Sequence, residues 1–257
     1  MIRRLSSTNC HFFLLILIFL SCYKEKIVIP GPESNALNFI MTPEQESNVN
    51  ASRRLQYEVV NPIPNLIFYN DHYLLDKFEI RGDNTLNFRR KGFSVNMDKK
   101  IHIWLTDIQS EKKFEEFKLI AMVYDYTYIE NMTASLLFKE VGLWPLTNFF
   151  TELKINNHTQ GLYMFIEDPA EHFIKNNNAS ILLRRGYYRV VKKYYTNDSL
   201  SADSIQYYIS RFDKMYTNML LYSGNQLFDT LSNYIDLTDY FKRMAVNLLI
   251  KNGDYTD

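Results

Sequence analysis

The chain has 257 residues, 29 basic and 29 acidic side chains, and 46% hydrophobic content. That length and apolar fraction can fill one large core or two small ones, and zero net charge gives no general attraction to nucleic acid or an acidic surface. With 19 tyrosines and 18 phenylalanines against 8 glycines, the composition excludes a fibrous repeat and a disordered chain.

The first 21 residues read as a processing signal. Arg3 and Arg4 form a positive n-region, and residues 12–20 are an unbroken apolar run too short to span a membrane as a mature helix. Leu20-Ser21-Cys22 then resembles a bacterial lipobox, whose cysteine becomes a lipidated N-terminus. The expectation is a lipoprotein-type signal over residues 1–21, lipidation at Cys22, and an exported chain held on a membrane, facing the periplasm or the surface. Cleavage removes Arg3, Arg4 and Cys10 and leaves a slight acidic excess. With Cys22 the only cysteine left, no disulfide is expected within the mature chain, although the compartment would permit one.

Residues 22–55 are polar and broken by Pro30, Pro32 and Pro43, which predicts a tether between anchor and folded body. Extended segments are predicted at 65–69 and 73–80, with an Asn-Asp turn between them. Residues 78–97 then read as a basic hairpin: Phe78 and Ile80 alternate into Gly82, a polar turn and the cations Arg89, Arg90 and Lys91 follow, and alternation resumes at Phe93, Val95 and Met97. Residue chemistry alone allows either a phosphate-holding loop or a solvated basic turn. Further strands are expected at 101–105 and 117–124, separated by a charged loop at 111–116.

A helix is predicted from Thr127, where Thr127 and Glu130 have capping-box spacing and Ile129, Met132, Leu136, Leu137 and Val141 share a face; Gly142 ends it. Residues 149–166 read as a hairpin turning at 156–161. After Glu167 the character changes, with Asp168 as N-cap and Pro169 at the first helical position of a short helix. One more strand is expected at 180–184, then helices at 204–222, stopped by Gly224, and at 237–251, capped by Asp236. This divides the body into a strand-rich part over 56–167 and a helical part over 168–257, hinged near 167–169, without an internal repeat.

Familiar catalytic motifs are missing. His72, His102, His158 and His172 lack zinc spacing, and no G-x-S-x-G elbow, Walker loop or G-x-G-x-x-G occurs. Arg81-Gly82-Asp83 spells a cell-adhesion tripeptide, a match that three common residues produce by chance.

Several short patterns keep one order: Arg-Gly-x-x-Thr with a basic pair and an aromatic (Arg81, Gly82, Thr85, Arg90, Lys91, Phe93), Asp-x-Thr-x-x-x-Asn opening a helix (Asp125, Thr127, Asn131), and Asn156, Gly161, Tyr163 and Glu167. Together, over about residues 60–257, they resemble the spore coat protein H (CotH) kinase family. The chain departs from that family's pattern at Asp83, Leu86, Arg89, Asn96 and Glu130. The resemblance implies an α+β, atypical protein-kinase-like fold, with a strand-rich small lobe carrying one helix and the start of a helical lobe. It also implies ATP and a divalent metal (Mg or Mn) as cofactors, and phosphoryl transfer to serine or threonine of a protein substrate, with no nucleic-acid partner.

Carried over residue by residue, the nucleotide-binding candidates are Arg81, Arg90, Lys91 and Glu167. Phosphoryl transfer also needs carboxylates for metal and base. Residues 252–257 (Asn-Gly-Asp-Tyr-Thr-Asp) resemble the family's Asn-x-Asp catalytic loop, which makes Asp254 the candidate base, with Asn252 beside it. The family's W-D-x-D metal-binding segment does not follow, so no metal ligand is assigned and weak or absent activity is expected of a chain ending here. The competing expectation is a non-catalytic surface lipoprotein that binds a protein or glycan; in a third, the missing segment is encoded separately.

Overall fold

A computed structural model describes residues 36–51, 64–69, 71–81, 84–105, 108–125, 127–143, 146–185 and 191–250, all within one compact unit that starts at Ala36. The strands are β1 (Leu37–Ile40), β2 (Asn65–Phe68), β3 (Asp71–Tyr73), β4 (Leu75–Arg81), β5 (Gly92–Leu105), β6 (Ser110–Ile120), β7 (Asn148–Ile155), β8 (His158–Glu167), β9 (Ile181–Arg185) and β10 (Val191–Thr196). The helices are α1 (Pro43–Ala51), α2 (Glu130–Glu140), α3 (Ala202–Leu221), α4 (Gly224–Leu231) and α5 (Leu237–Leu249). A 3-10 turn covers Asn84–Asn87 and a π-helical turn Glu171–Asn176.

Eight strands form one sheet in the order β3-β2-β1-β7-β8-β6-β5-β4, and β9 pairs with β10 separately. Only β1 and β7 run parallel. The two outermost strands, β3 and β4, are separated by Leu74 alone. Because the chain joins its edges, the sheet curls on itself and encloses one face. Alternation fills that inside with Phe78 from β4, Phe93, Val95 and Met97 from β5, Phe117 and Leu119 from β6, and Tyr163 and Phe165 from β8, all buried. Their rings interlock, with centroids 4.8 Å apart for Phe78–Phe93, 4.6 Å for Phe117–Phe165 and 4.5 Å for Phe149–Phe165. Each such ring contributes roughly 2–3 kcal/mol by burial alone.

The chain therefore carries both strands and helices, with a dominant sheet, as the α+β expectation holds. Several local expectations need correction. The tether does not extend to residue 55, because residues 37–51 belong to the sheet and its flank. Leu37 and Phe39 are fully buried, β1 pairs with both β2 and β7, and Asn156 links the end of β1 to α1 by accepting from Met41 N–H (2.8 Å) and donating to Glu46 (2.9 Å). The prolines hid a strand whose parallel partner is over a hundred residues away. Residues 111–116 are strand, not loop: β6 turns straight back on β5 through Ile108 and Gln109, and Phe114 is the one inward side chain among the charges.

The expected capping box is replaced as well. Helix α2 starts at Glu130, and Asp125 satisfies its start instead. Helix α3 stops at Leu221, and Gly224 opens α4, which the apolar pattern did not predict. The turn of the β7–β8 hairpin is only Asn156 and Asn157, both at positive φ (50° and 65°). In the helical region α3 touches β10 and α4, and α5 touches α2. Among the described residues, no helix is long and apolar enough to cross a membrane.

Candidate functional site

Strands β4 and β5 pair as the hairpin expected, with Phe78 opposite Val95, Ile80 opposite Phe93 and Arg81 opposite Gly92. Phe78 faces inward, so Glu79 and Arg81 face outward. Lys118 shares this outer face: it lies opposite Ser94 on β5, which in turn lies opposite Glu79. The turn after Glu167 brings Asp168 to the same place, where Oδ2 pairs with Lys118 Nζ at 2.8 Å while Oδ1 accepts from Ala170 N–H at 2.8 Å. Asp168 thus caps the turn, as expected, and also holds a cation.

The β9–β10 hairpin adds two further cations. Burial lowers the Arg81 pKa, Asp168 opposes that, and Arg184 of β9 lowers it further. An arginine stays charged at any ordinary pH, so these shifts report proximity rather than titration. Lys193 of β10 has its pKa raised mainly by a hydrogen bond to Tyr195, with Glu79 and Asp168 contributing. On the outer face of β4–β6, Lys118 is therefore paired with Asp168; Arg81 and Lys193 feel that carboxylate, and Arg184 lies near Arg81. Four cations thus share this face with two carboxylates, Glu79 and Asp168, an excess of positive charge that attracts anions.

The other nucleotide-binding candidates lie elsewhere. Lys91 is 2% exposed and donates to the Leu86 carbonyl of the 3-10 turn. Arg90 donates to the Tyr128 hydroxyl at 2.7 Å and to the Leu162 carbonyl, with its guanidinium 4.8 Å from the Tyr163 ring centre. Gly161 lies beside it at φ +91°, a backbone conformation that favours glycine; an added Cβ would be in ordinary contact with the guanidinium at 3.6 Å. Glu167 is buried with Oε2 accepting from Thr147 N–H at 3.0 Å and Oε1 3.1 Å from His172 Nδ1. It lies four residues beyond Tyr163 on β8, about 13 Å along a strand. The described contacts of Arg90, Lys91 and Glu167 are with different neighbours, and Arg81 is on the outer face of β4.

The Asp125 motif has a local explanation. Asp125 Oδ2 accepts from Asn131 N–H (2.9 Å) and Asn131 Nδ2 (3.1 Å), and Oδ1 accepts from the Thr127 hydroxyl (3.0 Å). Burial opposes its charge, but these bonds outweigh it and hold the carboxyl below the ordinary range. Sequence reasoning missed Glu171 altogether. Fully buried, it accepts from the N–H groups of Glu115 (2.9 Å) and Glu116 (2.7 Å), taking the place of β8 where that strand has ended.

Cys22, Gly82, Asp83, Asn252 and Asp254 lie outside the described residues. Among the described ones, no three His, Cys, Asp or Glu side chains converge to hold a metal ion.

A protein-family model described as CotH kinase protein matches residues 78–257, from the head of the basic hairpin onward. The chain belongs to the CotH kinase family. No curated protein matches it. The CotH match starts at Phe78, so β1, α1, β2 and β3 precede it, although three of these four are strands of the same sheet. Membership makes the chain kinase-like and implies ATP with a divalent metal. The outer face carries an excess of positive charge, and among the described residues no ligand set for a metal is found.

Proposed function

We propose that this chain is a lipid-anchored, exported CotH-type kinase module that binds ATP on the outer face of β4–β6 and is built to transfer a phosphoryl group to serine or threonine of a protein. The observation that carries this reading is the excess of positive charge from Arg81, Lys118, Arg184 and Lys193 on that face, on and beside the hairpin with which the family match begins. In phosphoryl transfer most of the protein's work is holding phosphates and charge in place, which such a group does. The fold reading is an atypical kinase, with the curled sheet as small lobe and α3–α5 opening the helical lobe. Asp254 is the proposed base, and Cys22 carries the lipid that ties the chain to its membrane.

One observation favours the alternative of a non-catalytic binding module. Arg90, Lys91 and Glu167 are spent on contacts within the fold. Thermal unfolding with ATP, with and without magnesium or manganese, separates the two readings. A ligand held only by the folded state stabilises it by about 2.7 kcal/mol at a hundred times its Kd. A shift in midpoint supports the nucleotide site, and none at millimolar ATP removes it.

A further inference from the structure

A second cleft opens where β3 parts from β5, and what it could bind does not rest on the proposed ATP site. Strands β4 and β5 stay paired as far as Leu75 opposite Met97, and the last link is Asp98 N–H to the Leu74 carbonyl at 3.2 Å. Beyond it the strands diverge: β3 pairs only with β2, and residues 101–105 of β5 pair only with β6. Among the described residues, neither strand has a partner on the side facing the cleft. The opening measures about 450 Å³ and is lined by Tyr69, Asp71 and Tyr73 on one wall and Lys99, Lys100 and His102 on the other. The first three precede the family match.

The fork has chemistry of its own. Residues 98–100 interrupt the β5–β6 register and are exposed, which re-aims both lysines towards the cleft. Lys99 Nζ lies 4.6 Å from the Tyr73 ring centre, and neither Lys99 nor Lys100 forms a salt bridge among the described residues. His102 is paired with Glu111 at 3.1 Å, so the positive charge at the cleft comes from the two lysines, with Asp71 opposing it and Lys100 also acting on buried Glu171. Exposed aromatics flank them, with Trp104 at 59% on the open edge of β5 and Tyr69 at 44%.

An unpaired strand edge offers alternate N–H and C=O groups to an incoming strand, and folded proteins normally cover or blunt such an edge. We propose that this fork docks an extended acidic peptide segment, which adds as a strand to the open edge of β5 and sets its carboxylates on Lys99 and Lys100. The aromatic side chains receive the peptide's alternate apolar residues.

The test titrates a fluorescent peptide of alternating glutamate and valine into the full chain and follows amide hydrogen exchange. The expected result is saturable binding, weakened by added salt, with slowed exchange at residues 98–105. Lys99→Glu with Lys100→Glu is expected to weaken it by about tenfold or more, and Asp71→Asn to strengthen it. All three positions are exposed, and because Lys100 also acts on buried Glu171, each variant's binding is read against its own unfolding midpoint. The proposal is overturned by no binding, by equal binding of a lysine–valine peptide, or by an oligouronate binding without slowed exchange at the edge.

Discussion

Glu171 offers the sharpest test of how the sheet is joined to the π-helical turn after β8. Its carboxylate is the acceptor for two backbone N–H groups of β6, at Glu115 and Glu116. Glu171→Ala leaves both donors buried and unpaired, at about 1–3 kcal/mol each, so a loss on the order of 3 kcal/mol is expected. Burial is the main cause of its raised pKa; the two N–H bonds and Lys100 oppose the rise, and Glu167 adds to it. A carboxyl whose folded pKa is raised contributes most stability below the ordinary glutamate range and loses that contribution as pH rises through the folded value. Glu171→Gln cannot titrate and keeps one carbonyl acceptor. Urea unfolding of both proteins, from acid to neutral pH, should show the wild type losing stability relative to the Gln variant as pH rises. A constant difference between them, or a loss under about 1 kcal/mol for the Ala variant, would refute the reasoning.

Other outcomes rest on contacts of the same kind. Asp125→Asn should cost about 1 kcal/mol at neutral pH; because Asp125 is held below the ordinary carboxyl range, its contribution is present at neutrality and fades as pH falls through the lowered value, a trend visible in acid titration of the unfolding midpoint. Phe39→Ala should destabilise by about 3–5 kcal/mol in chemical denaturation, whereas a residue in a tether would change nothing. Gly161→Ala should cost about 1 kcal/mol through its left-handed backbone, measurable as a lower midpoint without loss of nucleotide binding.

The parts of this fold that were legible in the sequence are those where local periodicity meets a local partner. Residues 78–97 alternate cleanly and pair with their own continuation, so the hairpin was readable; the same is true of 149–166. Strand β1 was not, because four residues among prolines acquire their meaning from β7. In β6, charges on the outward positions concealed an alternation that only Phe114 discloses. At the α2 start, Thr127 and Glu130 had the right spacing, but the better acceptor, Asp125, sat two residues earlier. The candidate site divides in the same way. Arg81 lay in a recognisable pattern, but Lys118, Arg184 and Lys193 join it only through sheet register and the β9–β10 hairpin. Lys91 and Arg90 read as free cations because sequence does not disclose burial.

The outer face of β4–β6 is the proposed nucleotide site. The most direct measurement is the ATP-dependent shift in unfolding midpoint, with magnesium or manganese, for the wild type, Arg81→Met, Lys118→Met and Arg90→Met, each against its own nucleotide-free baseline. The expected result is a shift for the wild type that falls away in Arg81→Met and Lys118→Met and persists in Arg90→Met, whatever the change in baseline. A shift unchanged by the two outer-face substitutions and abolished by Arg90→Met would contradict it.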